Sequence, residues 1–332
     1  MPARQIERLF AVTLLFLACA WLASLACAAD AFQLRDEPGQ YLDILSGQRL
    51  VGRYMYAHDT STAQKHHESY KPYLHVFAVD GQTIITKGPG GEYTHHRGIF
   101  IGWIRIGFAD KTYDLWSMGG GDQVHQKFLA QAADADQAKV TSLVDWNTKG
   151  DQTLVREERT MNFRQPPAPA HVLVDFSTRL TAPSGDVMLD GDPEHGGAQY
   201  RPANELDRQA TVYVFPKEKP KPTADLDYPW VGETYTLDGK RYSAVIMNHP
   251  DNPHGARFSA YRNYGRFGPF FRQPLKSGET LALKYRFLVA EGELPSAEML
   301  QACYNQFAGT TDPVPPTTLL PAQQPAAPKP TK

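Results

Sequence analysis

Histidines, carboxylates and arginines gather in four parts of this chain, among glycines, prolines and aromatic residues. The first joins Tyr70-Lys71-Pro72-Tyr73-Leu74-His75 to Tyr93-Thr94-His95-His96-Arg97-Gly98. The second is Gly119-Gly120-Gly121-Asp122-Gln123-Val124-His125. The third is Gly191-Asp192-Pro193-Glu194-His195-Gly196-Gly197, with Tyr200-Arg201 just behind it. The fourth runs from Asn248-His249-Pro250-Asp251-Asn252-Pro253-His254 into Tyr261 to Phe271, which includes Arg266. Each joins a strand-like end to turn residues, where a rigid sheet presents polar side chains in a cleft. A lone loop histidine is more often a hydrogen-bonding or packing residue than a ligand or an acid. Four recurrences with Gly, Pro and Arg shift that balance toward a shared site.

Two chemistries use these residue types. In acid–base work on a sugar, a neutral His with a pKa of ~6.5 gives or takes a proton near neutral pH. His96, His195 and Glu194 are then the catalytic candidates. His75, His125, Arg97, Arg201, His249 and Arg266 are the substrate-binding ones, since guanidinium groups hold ring hydroxyls and acidic groups. This chemistry requires no cofactor. In the alternative, His75, His96 and His125 form a three-nitrogen set for copper, zinc or iron. Their spacing fits no helical His-x-x-x-His site, and His95 and His96 in a strand would point to opposite faces. In a third reading the same loops are a non-catalytic surface for a sugar or a protein.

Other features read more simply. In Val155 to Met161, Glu157 shares a face with Val155 and Met161, and Arg156 and Arg159 suit cross-strand ion pairs better than catalysis. Trp103, Trp116, Trp146 and Trp230 could stack on sugar rings, although most sheet tryptophans are core. Gly119 to Gly121 lacks the Gly-Lys-Ser/Thr of a phosphate loop, and no Gly-x-Ser-x-Gly elbow occurs.

The elements that must hold these residues are strands. Val172 to Leu180 and Leu281 to Phe287 alternate apolar and polar residues, and Ile99 to Phe108, Thr211 to Phe215 and Tyr242 to Met247 are further candidates. Asp80-Gly81, Gly88 to Gly91, Lys149 to Asp151, Asp238-Gly239 and Ser277-Gly278 supply turns. Helical periodicity appears near Ser296 to Phe307, with Ser296 as its cap. The expected fold is all-β, a large antiparallel β-sandwich with a short C-terminal helix.

Length and composition bound the rest. Arg4 and Arg8 precede the uncharged apolar run Leu9 to Ala26 and the small residues Cys27-Ala28-Ala29. Residues 1–29 therefore read as a signal peptide that exports the chain to the periplasm or beyond. The run approaches the ~20 residues that span a bilayer, so an uncleaved anchor is the alternative. Residues 30–309 form one expected domain, and 310–332, rich in Pro, Ala, Gln and Thr, a disordered tail. A net charge of −2 without charged blocks implies neither nucleic acid nor an anionic membrane as partner; the partner expected from the loop residues is a small molecule, a sugar. Cys19 and Cys27 lie in the leader, so Cys303 alone can form neither an internal disulfide nor a cysteine-based zinc site.

At these motifs the chain resembles the bacterial exported proteins labelled "methane oxygenase PmoA family", also carried as a domain of unknown function. The resemblance runs from about Leu50 to about Ala290, through Tyr70 to His75, His95 to Gly98, Gly121 to His125, Glu157-Glu158-Arg159, Gly191 to His195, Asn248 to Pro253 and Tyr264 to Pro269. Related sequences often carry Gln-His-Ala-Gly where this one has Glu194-His195-Gly196-Gly197. The resemblance implies a sandwich of the galactose-mutarotase type and an association with sugar processing. A true methane monooxygenase membrane subunit crosses the bilayer several times, whereas this chain has one apolar segment.

Overall fold

The computed structural model describes residues 31–323, so the expected signal peptide at 1–29 lies outside the described residues. Two large antiparallel sheets dominate. One has six strands in the order Phe32–Glu37, Tyr41–Ser46, Arg49–Met55, Tyr73–Val76, Ile99–Trp103, Gly196–Tyr200. The other has nine, in the order Thr318–Pro321, Leu206–Phe215, Trp230–Leu237, Lys240–Asn248, Leu281–Glu291, Ala170–Thr181, Thr153–Arg164, Gln137–Thr148, Gly121–Ala133. The all-β antiparallel sandwich expected from the alternation is the fold found. No helix among the described residues is long and apolar enough to cross a membrane.

The alternation fixes which face of each strand meets the core. Val172, Val174, Phe176 and Leu180 are buried in the main cluster, which also holds Leu42, Ile44, Val51 and Leu74 from the smaller sheet. On the outer face Leu173, Val245, Met247 and Leu288 pack instead against Leu300, Cys303 and Tyr304. These last residues belong to the helix Ala297–Ala308, capped by the Ser296 side chain at its start and by left-handed Gly309 at its end. Burying the helix's apolar stripe against the sheet stabilises both.

Two sequence expectations change here. Thr318–Pro321 forms an edge strand on Leu206–Phe215, so the expected disorder from Thr310 does not hold up to Gln323. The strand's exposed backbone edge is covered by this pairing, and Leu320 reaches the core. A second helix, Ala63–Ser69, occupies a stretch without a clear apolar stripe and starts at the Thr62 cap.

The interior of the nine-stranded sheet also carries an ion pair. Glu157 and Arg159, both essentially inaccessible, meet with Nη2 at 2.8 Å from Oε2. Trp146 Nε1 donates to Glu157 Oε2 (2.9 Å), and Arg159 Nη1 donates across to the Pro72 carbonyl (3.0 Å). Arg156–Asp145 is a cross-strand pair near the surface, as expected of Arg156, and Arg179–Glu158 is another, whereas Arg159 finds its partner Glu157 on its own strand and not across it. Replacing only Arg159 by Met should strand a buried carboxylate and cost about 3–5 kcal/mol, with most of it recovered in the Glu157→Leu/Arg159→Met double variant. Urea unfolding measures this, and a single variant as stable as the parent would refute the role given to the pair.

Candidate functional site

The loop Tyr93 to Gly98 builds one wall of the site. Tyr93 sits at φ 51°, a left-handed conformation that costs energy in a non-glycine residue. The turn closes when His96 N donates to Tyr93 O (2.8 Å). Because His95 and His96 lie in this turn and not in a strand, their rings sit together, with centroids 4.4 Å apart at 77°. Tyr93 stacks on His96 at 5.2 Å, and Tyr264 leans on Tyr93 at 4.6 Å.

The opposite wall comes from the turn before Gly196–Tyr200. Asp192 Oδ1 accepts from Glu194 N (2.9 Å) and lies 2.8 Å from His195 Nδ1. The His195 ring stands 6.3 Å from Trp116, whose ring is 6.0 Å from His96. Gly197 lets this strand pass under Pro269. Its φ is +78°, and a Cβ there would lie 2.0 Å from the Pro269 carbonyl oxygen.

Buried polar atoms converge without partners. Among the described residues, His95 Nε2, His96 Nδ1, Trp116 Nε1 and the Nε atoms of Arg97, Arg201 and Arg266 have none. Such orphans are uncommon in a folded interior and mark places where a water or a ligand completes the bonding. The cations are held mainly by neutral groups. Arg97 donates to the carbonyls of Thr94, His96 and His67, and Arg201 to the carbonyls of Pro202 and Ala203 and to Asn204. Arg266 donates to Gln199 and Ser259, while Lys71 donates to the Trp116 carbonyl (2.7 Å).

Electrostatics follow from this arrangement. Burial, and then the charge of Lys71, push the His95 imidazole down to about 3. Burial and then Arg266 hold His96 well below its ordinary value. Both rings are neutral at physiological pH, so each offers one donor and one acceptor. Partial burial works to raise Glu194, but bonds from Arg262 and Tyr261 outweigh it and keep the carboxyl below the usual range.

The structure therefore separates the candidates. His96 and His195 share the site, with Arg266 beside Trp116, Arg97 acting through its charge on His95 and Arg201 on His96. Glu194 is present but engaged. Tyr261 donates to one oxygen and Arg262 grips both, so its expected role as a free acid or base gives way to that of a clamp.

His75, His125 and His249 are fixed elsewhere. His75 bonds Thr86, His125 bonds Ser142 among Tyr54, Tyr56 and Phe128, and His249 packs on Phe307 of the C-terminal helix. Among the described residues, His75, His96 and His125 do not bring three ligand atoms within 4.8 Å, so the expected metal set does not form. Trp103, Trp116, Trp146 and Trp230 are all fully buried, Trp103 and Trp146 in the main core and Trp230 beneath the C-terminal helix; of these four, Trp116 is the one whose ring neighbours His96 and His195.

Sequence reasoning passed over several neighbours. Tyr93, Tyr264 and Lys71 lay inside the quoted motifs without being assigned a role. Glu233 was not singled out at all. It is fully buried in Trp230–Leu237 with both oxygens unpartnered, and burial drives its carboxyl well above the usual range despite the attraction of Arg201. Its signal was legible, since Val231, Glu233, Tyr235 and Leu237 alternate on one face.

The protein is thus an antiparallel β-sandwich with a histidine-lined, cation-rich site at the edge of its smaller sheet. The chain belongs to a family of unknown function, DUF6807, whose profile matches residues 41–305. The family carries no assigned activity, in keeping with the unknown-function part of the resemblance. No curated protein matches the chain.

Among solved structures it is similar to the heparan sulfate lyase HepC from Pedobacter heparinus, at 9% identity and a TM-score of 0.42. That match covers 80% of this chain and 37% of the lyase, so the chain spans little more than a third of that protein. It is also similar to a putative mutarotase (YeaD) from Salmonella typhimurium, at 8% identity and a TM-score of 0.32, over 79% of this chain and 94% of that one. A galactose mutarotase related enzyme from Lactobacillus acidophilus matches at 8% identity and a TM-score of 0.34, over 79% and 97%.

His75 and His125 are pushed down to about 4, burial being the main cause in both, and His95 to about 3. The unfolded chain binds protons at these groups below ~6.5, and the folded chain does not until pH 3–4. Their contribution to stability is therefore complete above pH 6.5 and is lost as pH falls from there toward 4. Urea midpoints measured from pH 8 to 4 should drop over that window, with a shallower slope in His125→Gln. A flat profile would contradict the neutral state of these histidines.

Proposed function

We propose that this chain is an exported carbohydrate-active protein that acts on a sugar or glycoside between the His95–His96 turn and His195. The observation that carries the reading is the convergence of unpartnered His95 Nε2, His96 Nδ1 and Trp116 Nε1 beside the Asp192–His195 pair. A ring bearing many hydroxyls, each both donor and acceptor, satisfies such a set better than an apolar ligand does. Asp192 at Nδ1 leaves His195 Nε2 without a protein partner among the described residues, so this nitrogen is the one that takes or gives a proton. His195 is also far more exposed than His96, which suits a group that exchanges protons with substrate and solvent.

The neutral His95 and His96 hold hydroxyls, and Trp116 adds a donor. Glu194 fixes Arg262 and Tyr261 at the rim. Buried guanidinium groups held by neutral partners favour a sugar that carries a carboxylate over a neutral one. None of this requires a cofactor. What weighs against the metalloprotein alternative is distance: among the described residues His75, His96 and His125 do not bring their ligand atoms within 4.8 Å of one another.

A panel of neutral sugars, uronates and their glycosides, read by calorimetry and then by NMR for product, tests the reading. His195→Ala should lower turnover by about 10²–10⁴-fold, and Asp192→Asn should lower it and shift the pH profile. Trp116→Phe should weaken binding by roughly tenfold, the loss of one hydrogen bond. Full turnover by His195→Ala on the true substrate would sink the catalytic assignment. Saturable binding with no product from any ligand would make the chain a binding module.

A further inference from the structure

Away from the His95–His195 site, two histidines that belong to none of the four motifs meet a carboxylate. His58 follows the strand Arg49–Met55, and His66 lies in the helix Ala63–Ser69. Asp122 is the second residue of Gly121–Ala133. Asp122 Oδ2 lies 3.0 Å from His58 Nε2 and 2.6 Å from His66 Nε2. The two rings stand edge to face at 5.9 Å. One ligand atom from each residue falls within 4.8 Å of the others, and among the described residues no other group of three does so. The side chains are 25%, 39% and 20% exposed, so the group is open to solvent on one side. That side is a cleft of about 370 Å³, bordered also by Thr60, Thr62, Asn147 and Asp151.

We propose that His58, His66 and Asp122 bind a divalent transition metal of the zinc or iron type, with open coordination positions facing this cleft. Two imidazole nitrogens and one carboxylate oxygen on one side of an ion form the arrangement that leaves positions for water or substrate. With a single oxygen donor, the set does not suit calcium or magnesium, which take their ligands almost wholly from oxygen.

The backbone holds the ligands in place without an ion. Thr62 Oγ1 accepts from Lys65 N (3.2 Å), and His66 N donates to Thr62 O (2.9 Å), which starts the helix beneath His66. Asp59 N donates to Ser69 Oγ (2.8 Å) and pins the His58 loop to the same helix. Gln123 N donates to Tyr70 O (2.9 Å), which fixes the Asp122 strand to the helix end. Gly121 permits the strand's approach to its neighbour, since a Cβ there would sit 1.8 Å from the Asn147 carbonyl oxygen.

A supported metal histidine gives its other ring N–H to a carbonyl or carboxylate. Neither Nδ1 has such a protein partner among the described residues. Affinity should therefore be roughly 10–100-fold below that of a fully supported site, in the micromolar range.

The test uses the untagged protein stripped with chelator and dialysed. Zinc chloride is titrated calorimetrically, and cobalt(II) is followed by its visible absorption. The expected result is about one equivalent of either ion. Asp122→Asn and His66→Ala should weaken binding at least about 50-fold, because each removes one of three ligands. His195→Ala should bind the metal as the parent does, which separates this site from the proposed sugar site. Calcium chloride should not compete. Parent protein that takes up less than about a fifth of an equivalent at saturating zinc would overturn the proposal. Binding left unchanged in both ligand variants would overturn it as well. If either variant fails to fold, the cobalt spectrum of the parent decides. Bands of a nitrogen- and oxygen-ligated ion, lost on adding chelator, support the site, and their absence rejects it.

Discussion

The buried Glu157–Arg159 pair is the interaction on which the arrangement of the sandwich depends. Two full charges inside a core are tolerated only where every polar atom finds a partner. Here Trp146 and Arg159 satisfy Glu157, and Arg159 spends its remaining donors on the Pro72 carbonyl and Gln123. Those two contacts lie on the segment that carries Lys71 and on the strand that carries Asp122. Gln123 in turn donates to the carbonyls of Ile101 and Leu115, just before Trp116. One ion pair on the large sheet thereby positions both the Trp116 wall of the site and the Asp122 strand.

A second constraint comes from the cations that have no such partner. Arg97, Arg201 and Arg266 are fully buried, yet their bonds run mainly to carbonyls, amides and a hydroxyl. Dipoles lower the cost of burying these charges without cancelling the charge. The field reaches His95 and His96, where it adds to desolvation in keeping both rings neutral. The same groups thus help keep His95 and His96 neutral and underlie the proposed preference for a ligand that carries negative charge. Glu194 comes within 4.0 Å of Arg266 but is already held by Arg262, and buried Glu233 lies near enough to Arg201 to feel its charge.

Much of the fold was legible in the sequence because it rests on local rules. Period-two alternation placed Val172, Val174 and Phe176 inside, and a serine three residues before a helical amide placed the cap at Ser296. The edge strand at Thr318–Pro321 was not legible, since a short proline-flanked segment becomes a strand only when an open sheet edge is there to pair with. The site was legible in part. His96, His195 and Arg266 stand in loops whose composition marked them. His58 and His66 carried no motif, and they meet Asp122 across separations of 64 and 56 residues, which depend on how the helix and the sheet dock.

Residue type alone was the weaker guide, and the histidines explain why. His75, His125 and His249 carry the same ring as His95 and His96, and all five are held below the ordinary value by burial. What separates them is whether the fold has already used their nitrogens. Thr86, Ser142 and the amide of Asp251 each take one nitrogen of the first three, while His95 Nε2 and His96 Nδ1 are buried with nothing to bond. A buried polar atom without a partner costs about 1–3 kcal/mol. A protein carries several at one place only if something outside its own chain completes them. That unmet bonding, set beside a histidine oriented by a carboxylate, sets the candidate site apart from the satisfied core, and it depends on geometry that composition does not encode.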